Sequence, residues 1–118
     1  MLNLKKNIEI FLSHCRYEKN LSKKTIKAYT IDLQQFTVFL ENKKIEMLDK
    51  IDKNILKEYL QQLFSFNHKA RTIKRKCAAL KTFFNHLEFE DIITINPFRK
   101  VKNQYTRRKT TAENLNLY

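Results

Sequence analysis

Apolar residues recur at helical spacing in four stretches of the chain, separated by short polar segments. The first stretch runs from Leu4 to about Tyr17 and has one apolar stripe among Lys and Glu positions. Asn20 follows it, and Asn is the usual substitute for Gly at a left-handed helix end. The pattern predicts an amphipathic first helix that ends near Asn20.

The second stretch carries the longest stripe, with apolar residues at steps of three and four: Ile26, Tyr29, Leu33, Phe36 and Leu40. Ser22 precedes it in the position of an N-cap, where its hydroxyl can accept a hydrogen bond from a backbone N–H of the first turn. The spacing predicts a continuous helix of about four turns.

A third helix is predicted from an N-cap at Asp52 to about Phe66, where Asn67 can end it. A fourth is predicted from Arg71 or Thr72 to Phe89. Its apolar side consists of Ile73, Cys77, Leu80, Phe83, Phe84 and Leu87. The Asn96-Pro97 pair then ends the helical region, because the residue before Pro is pushed out of the α conformation.

The composition favours an all-α fold. The chain has no Gly and one Pro, so hairpins of the Asn-Gly type are excluded and positive φ angles fall to Asn or Asp. Its 118 residues are 42% hydrophobic, which is enough for one packed core. We expect a four- to five-helix bundle over residues 1–98 and a flexible basic linker or tail over residues 99–118.

The charge of the chain indicates a polyanionic partner. Lys and Arg outnumber Asp and Glu by 24 to 12, giving a net charge of +12, which is typical of nucleic-acid binding and less specifically of a membrane surface. No apolar run approaches the roughly 20 residues that span a bilayer, and the N-terminus is too polar for a signal peptide. We therefore expect a cytoplasmic protein with no membrane partner.

The sequence shows no pattern typical of a metal or cofactor site. His14, His68 and His86 are scattered, and no Cys or carboxylate joins them at ligand spacing. Cys15 and Cys77 have no CxxC partner and are interpreted as reduced core residues. Asp32 has no second carboxylate beside it for acid catalysis, so we interpret it as a helix residue with local polar contacts. No metal, cofactor or small-molecule substrate is expected.

Two of the predicted helices have a basic face opposite their apolar stripe. The second helix presents Lys23, Lys24 and Lys27 at its N-terminal end, where cations oppose the helix dipole and favour an external anion. On the fourth helix the basic face comprises Arg71, Lys74, Arg75 and Lys81, with Asn85 and the small Ala78 and Thr82 among them. Such faces suit a DNA major groove, although charged faces also serve simply to solvate a helix.

A sequence resemblance supports the first interpretation. The string from Leu21 to Leu40 is similar to the L-S-x-x-T-x-x-x-Y-x-x-D-L-x-x-F signature of the N-terminal core-binding domain in Xer-like and phage integrases, the tyrosine recombinases. Residues 71–87 resemble the family's fourth helix, and Asn96-Pro97 matches the Asn-Pro that follows it. Together the matches cover about residues 4–102.

The resemblance implies a SAM-like bundle whose second and fourth helices enter the major groove of a recombination half-site. Combined with the charge pattern, it makes these the candidate DNA-binding residues: Ser22, Lys23, Lys24, Thr25, Lys27, Arg71, Thr72, Lys74, Arg75, Lys81, Arg99, Lys100 and Lys102. The family often has a capping Ser where this chain has Arg71. Arg cannot cap a helix in the same way, so we expect Thr72 or Asn67 to do so.

The resemblance also implies a function without catalysis in this chain. In tyrosine recombinases the Tyr nucleophile and its Arg, Lys and His-x-x-Arg partners lie in a C-terminal domain, which we expect to be absent here. The letters of His-x-x-Arg at residues 68–71 fall in the wrong domain. The expected partners are double-stranded DNA and, on DNA, other recombinase protomers. The alternative is a non-catalytic helical protein-interaction module, which an exposed patch of Phe or Tyr would favour.

Overall fold

The computed structural model describes residues 2–99 and Val101. The described part contains four long α-helices, a single isolated β-bridge between Asn3 and Met47, no strand, and helical residues again at Phe98, Arg99 and Val101. The helices are α1 (Leu4–Ser13), α2 (Lys23–Asn42), α3 (Lys53–Ser65) and α4 (Ala70–Phe89). A short 3₁₀ turn, Leu48–Lys50, precedes α3. The predicted all-α class is confirmed.

Side-chain caps define where two of the predicted helices begin. The Ser22 hydroxyl accepts from the Thr25 backbone N–H at 3.1 Å, and the Asp52 carboxylate accepts from that of Ile55 at 3.0 Å. Both predicted caps are confirmed. The cap expected for α4 is wrong, because its N-cap residue is Lys69, which makes no side-chain capping bond, and the helix begins at Ala70.

Residues with positive φ end the helical segments in place of Gly. Asn20, Asn67 and Asp91 have φ between 55° and 59°, and Asn67 ends α3 as predicted. Lys44, with φ of 60°, was not expected in this conformation. Asn67 therefore terminates α3 and is not a cap of α4.

The first helix changes form before the predicted end. After Ser13 the chain continues as a π-helical turn, His14–Glu18, in which the Lys19 N–H bonds the His14 carbonyl at 3.0 Å. Cys15 is fully buried within this turn, and Cys77 is also buried, so both thiols are core residues as predicted. Burial raises the pKa of the Cys15 thiol.

Aromatic side chains connect all four helices through the core. The Phe11 ring of α1 lies 5.4 Å from that of Phe83 on α4, and Phe83 lies 5.4 Å from Phe84. Phe36 on α2 contacts Phe84 at 6.2 Å and Tyr59 on α3 at 5.1 Å, both edge to face. The apolar stripes predicted for α2 and α4 therefore meet in one core. All the residues named for these stripes are buried except Tyr29, which is partly buried.

A buried ion cluster joins α2 to α4. Asp32 is 1% exposed and its Oδ1 accepts from Lys76 Nζ at 3.0 Å and from Arg75 Nη2 at 2.7 Å. Arg75 Nε bonds the second carboxylate oxygen at 3.2 Å, and Lys76 also donates to Gln35. The expectation that Asp32 makes only local contacts is wrong, because its partners lie 43 and 44 residues away. A buried carboxylate needs such partners to offset its lost hydration.

The chain beyond α4 packs back onto the core. The Asn96 amide donates to Asn85 Oδ1 at 2.7 Å, and its oxygen accepts from the Phe98 N–H at 2.8 Å. Phe98 and Val101 are each 1% exposed, so the core extends past the predicted boundary at residue 98. The expectation that Asn96-Pro97 ends the helical region is wrong, because Phe98, Arg99 and Val101 are again helical, as Pro is tolerated just before or at the first turn of a helix. Residue 100 and residues 102–118, most of the predicted basic tail, lie outside the described residues.

A histidine pair lies where the π-helical turn meets α4. The rings of His14 and His86 are 4.8 Å apart, and His86 also packs 5.3 Å from Phe11. His14 Nδ1 lies 3.2 Å from the Glu18 carboxylate, whereas His86 Nε2 is buried with no hydrogen-bond partner. Burial and the neighbouring His14 lower the pKa of His86 below its ordinary value of 6.5.

Removing the Asp32 charge should strongly destabilise the fold. Asp32→Asn keeps the size of the side chain but leaves the Lys76 ammonium, which is 3% exposed, without its counter-charge. We expect a loss of about 3 to 5 kcal/mol in the free energy of unfolding, measured by urea denaturation. Glu58→Gln breaks the more exposed Lys43 pair and should cost about 0 to 1 kcal/mol. Equal costs for the two variants would contradict a stabilising role for the cluster.

Stability should fall as the pH falls through the titration range of His86. Its folded-state pKa is depressed, so below about pH 6.5 the unfolded chain binds a proton that the folded chain does not. The stability that neutral His86 allows is fully present above the pKa of the unfolded chain, and it is lost as the pH falls toward the lower pKa of the folded chain. Urea midpoints at pH 7.5 and 5.5 should differ less in His86→Phe than in the wild type. The control His68→Asn should keep the wild-type difference between the two midpoints. If His86→Phe keeps it as well, the pH dependence arises from another group.

Candidate nucleic-acid interface

The N-terminal end of α2 presents its three predicted lysines to solvent. Lys23, Lys24 and Lys27 are all exposed. Ser22 is exposed too, but its hydroxyl already caps the helix and lies 3.0 Å from the Thr25 hydroxyl, which is half-buried. The lysines are therefore the groups of this turn that are placed to reach an anion, and Ser22 and Thr25 hold the turn in shape.

An open cleft of about 450 Å³ lies beside these lysines. Its apolar floor includes Leu21, Ile26 and Ile31, and Lys23, Lys27 and Arg16 stand around it. Arg16 was not predicted as a site residue. The Leu21 N–H bonds the Cys15 carbonyl at 3.0 Å and closes the chain so that Arg16 and Lys23 line the same cleft. Helical periodicity could not show this, because the chain reverses between the two helices.

The first turns of α4 carry the second group of predicted residues. Arg71 and Arg75 are exposed, whereas Thr72, Lys74 and Lys81 are half-buried along the same helix. Lys74 and Lys81 each have further contacts within the protein. The N–H groups at the start of α4 take no side-chain cap, so the basic turn also carries the positive end of the helix dipole.

Arg75 is positioned by the buried cluster and remains available for a second acceptor. Two of its N–H groups bond Asp32, and a guanidinium has five such donors. Half of the side chain, 51%, is exposed. The bond to Asp32 also raises the pKa of Arg75. The structure therefore holds a permanent cation in one orientation where α2 and α4 meet, which lowers the entropy lost when it binds an anion.

The remaining described candidate, Arg99, lies near the other end of α4. Arg99 is exposed and bonds the Glu88 carboxylate at 2.6 Å. Lys100 and Lys102 lie outside the described residues. Arg99 is therefore not brought to Arg71, since α4 rises by about 1.5 Å per residue and Glu88 follows Arg71 by 17 positions.

Charge is unevenly distributed along α4. Its first turns carry Arg71 and Arg75, whereas Glu88, Glu90 and Asp91 lie at or just after its last turn, about 20 to 30 Å away. A second cleft, of about 480 Å³, lies near that acidic end and includes Glu9 and Glu18. A polyanion is attracted to the basic end of the helix and repelled from the acidic end.

Other kinds of site receive no support from the described residues. Within residues 2–99 and Val101, no group of three or more His, Cys, Asp or Glu side chains could hold a metal ion. In the same part of the chain, no helix combines the length and apolar character needed to cross a membrane. The two clefts described above are open and lined by charged side chains.

Comparison with curated proteins finds tyrosine recombinases among the relatives of this chain. A tyrosine recombinase of Agathobacter rectalis is 35% identical over 120 residues, which cover 100% of this chain and 37% of that protein. The tyrosine recombinase XerC of Anoxybacillus flavithermus is 31% identical over 98 residues, covering 83% and 33%. XerC of Staphylococcus haemolyticus is 39% identical over 88 residues, covering 75% and 29%. No solved structure gives a match.

The chain spans about a third of the length of these relatives. Residues 8–91 match the family model described as phage integrase, N-terminal SAM-like domain. The matched range begins within α1 and ends just after α4, so it contains both basic helix faces. On this evidence the chain belongs to the tyrosine recombinase (phage integrase) family and corresponds to its N-terminal SAM-like domain.

Proposed function

We propose that this chain is the DNA-gripping core-binding domain of a tyrosine recombinase. It binds double-stranded DNA sequence-specifically, with α2 and α4 in the major groove of a recombination half-site. The observation that carries the proposal is the pair of basic faces, at Lys23 to Lys27 and at Arg71 to Arg75, on two helices joined by the Asp32 cluster. Two helix faces fixed to each other can bind one duplex as a unit.

The proposed contacts divide between positioning and sequence readout. Exposed lysines at the start of α2 contact phosphates, which fixes the position of the domain on the duplex. Arg71 and Arg75 can reach guanine edges with paired N–H donors. Lys74 lies between them on the helix, and Lys81 lies further along the same groove. The small side chains of Ala28 and Ala78 on these helices allow their backbones to approach the DNA.

The chemistry of recombination belongs to a separate catalytic domain in this proposal, so the chain itself only binds. That domain closes on the other side of the duplex and is joined through the basic segment that follows Pro97. On DNA the chain meets other recombinase protomers. The protein acts on chromosomal or element DNA in the cytoplasm, associated with the nucleoid.

A second function has one observation in its favour. Ile10 and Tyr17 are 47% and 75% exposed, and both line the acidic cleft between the π-helical turn and the end of α4. Exposed apolar groups rimmed by charge are typical of a protein-interaction surface. The cleft fits a neighbouring protein better than DNA, because Glu9, Glu18 and Glu90 also line it.

Charge removal on α2 tests the DNA-binding proposal. Binding is measured by fluorescence anisotropy at several salt concentrations, with a duplex enriched from a random-sequence pool by the wild-type chain. The triple variant Lys23→Ala, Lys24→Ala, Lys27→Ala should bind more weakly and reduce the log-log salt slope by up to about 2.7, since each phosphate contact contributes about 0.9. A scrambled duplex should bind more weakly than the enriched one.

The matched control removes the same charge elsewhere. Lys44, Lys50 and Lys53 are exposed between the end of α2 and the start of α3, and their triple Ala variant should keep the wild-type salt slope. If the two triple variants behave alike, binding depends on net charge and not on the α2 face. If the wild type binds no duplex at low salt, the protein-interaction function becomes the better account.

A further inference from the structure

The turn between α3 and α4 exposes an aromatic ring that the core does not use. Phe66 is 63% exposed at the C-terminal cap of α3, and its ring lies 6.4 Å from the ring of His68. Phe64, two residues earlier, is 43% exposed. A single exposed apolar side chain is common on soluble domains and by itself marks no contact surface, so what surrounds the ring decides whether it meets a partner.

The backbone of this turn has a defined shape. The Phe66 N–H bonds the Gln62 carbonyl at 3.1 Å, and the Asn67 N–H bonds the Phe64 carbonyl at 3.2 Å. Asn67 then takes a φ of 59° and reverses the chain toward α4. The position of the Phe66 backbone relative to α4 is thus set by the fold, and ordering the ring against a partner requires few changes.

Charge around the ring indicates which partner it meets. Lys69 and Arg71 are exposed and follow Phe66 by three and five residues, so the Lys69 Cα is at most about 11 Å from that of Phe66. Phe89 is more exposed, at 83%, but its neighbours in sequence are Glu88, Glu90 and Asp91. Of these two exposed rings, only Phe66 stands beside cations that attract a phosphate backbone.

We infer that Phe66 packs as an apolar wedge against a base step of the bound duplex, beside the N-terminal end of α4, where Lys69 holds an adjacent phosphate. This inference rests on the proposed function and adds a contact outside the two basic helix faces. Apolar wedges of minor-groove binders partly unstack a base step and bend the duplex, and Phe66 makes the corresponding insertion from the major-groove side. Pyrimidine–purine steps deform most easily, so the wedge gives a preference for TA or CA/TG at one position.

The test combines affinity with a signal for unstacking. The wild-type chain, Phe66→Ala, Phe66→Tyr and the control Phe89→Ala are titrated with the enriched duplex, carrying 2-aminopurine at successive steps. Phe66→Ala should bind about 5- to 150-fold more weakly, the range expected when a base-stacking aromatic is removed. Its salt slope should be unchanged, because the ring neutralises no phosphate.

The 2-aminopurine fluorescence should rise at one step with the wild type and Phe66→Tyr, and stay flat with Phe66→Ala. Phe89→Ala should match the wild type in both readouts, and circular dichroism verifies that every variant is folded. Duplexes enriched by the wild type should share a TA or CA/TG step that those enriched by Phe66→Ala lack.

Two outcomes separate the inference from the function on which it rests. If Phe66→Ala binds as tightly as the wild type, or the fluorescence rise persists without the ring, the wedge is overturned and the DNA-binding proposal stands. If the wild type does not bind the duplex, the DNA-binding proposal itself fails. Weaker binding by Phe66→Ala and Phe89→Ala alike would assign the effect to general loss of apolar surface and would overturn the wedge.

Discussion

The buried carboxylate of Asp32 is the constraint on which the rest of the structure depends. It is removed from water and satisfied by Lys76 and Arg75, so α2 and α4 cannot separate without leaving charges unpaired. Apolar stripes alone would tolerate some sliding of one helix on the other, whereas hydrogen bonds to a buried charge fix the register. The same cluster orients Arg75, and thereby links the stability of the core to the proposed DNA surface.

Periodicity predicted four helices because each carries an apolar stripe at steps of three and four, which is a local property of the sequence. The caps at Ser22 and Asp52 were predictable for the same reason. The start of α4 was not predictable in this way. The chain already reverses at Asn67, so the helix begins at Ala70 after Lys69, which makes no side-chain capping bond. The buried Phe98 and Val101 also escaped prediction, since isolated apolar residues after a Pro have no periodic pattern.

The basic faces of α2 and α4 could each be predicted from the sequence of the helix that carries it. The family of the chain could also be predicted, from the signature motif of the second helix and the resemblance of the fourth. Their connection could not, because Asp32 and Lys76 are 44 residues apart and Lys76 looks in sequence like any other surface lysine. Arg16 was missed for a similar reason, as it joins the α2 lysines only through the π-helical turn. Charged residues that meet only in the folded structure leave no local signal in the sequence. These are the contacts that bring the residues of the candidate interface together.

In the proposed complex, α2 and α4 meet a duplex as a single surface. The most direct measurement is an amide chemical-shift titration of the chain with a short duplex at two salt concentrations. The account predicts that shifts at Lys23 to Lys27 and at Arg71 to Lys81 saturate with one dissociation constant and weaken together as salt is raised. Shifts confined to one helix, or clustered around Glu18 and Glu90, would contradict it.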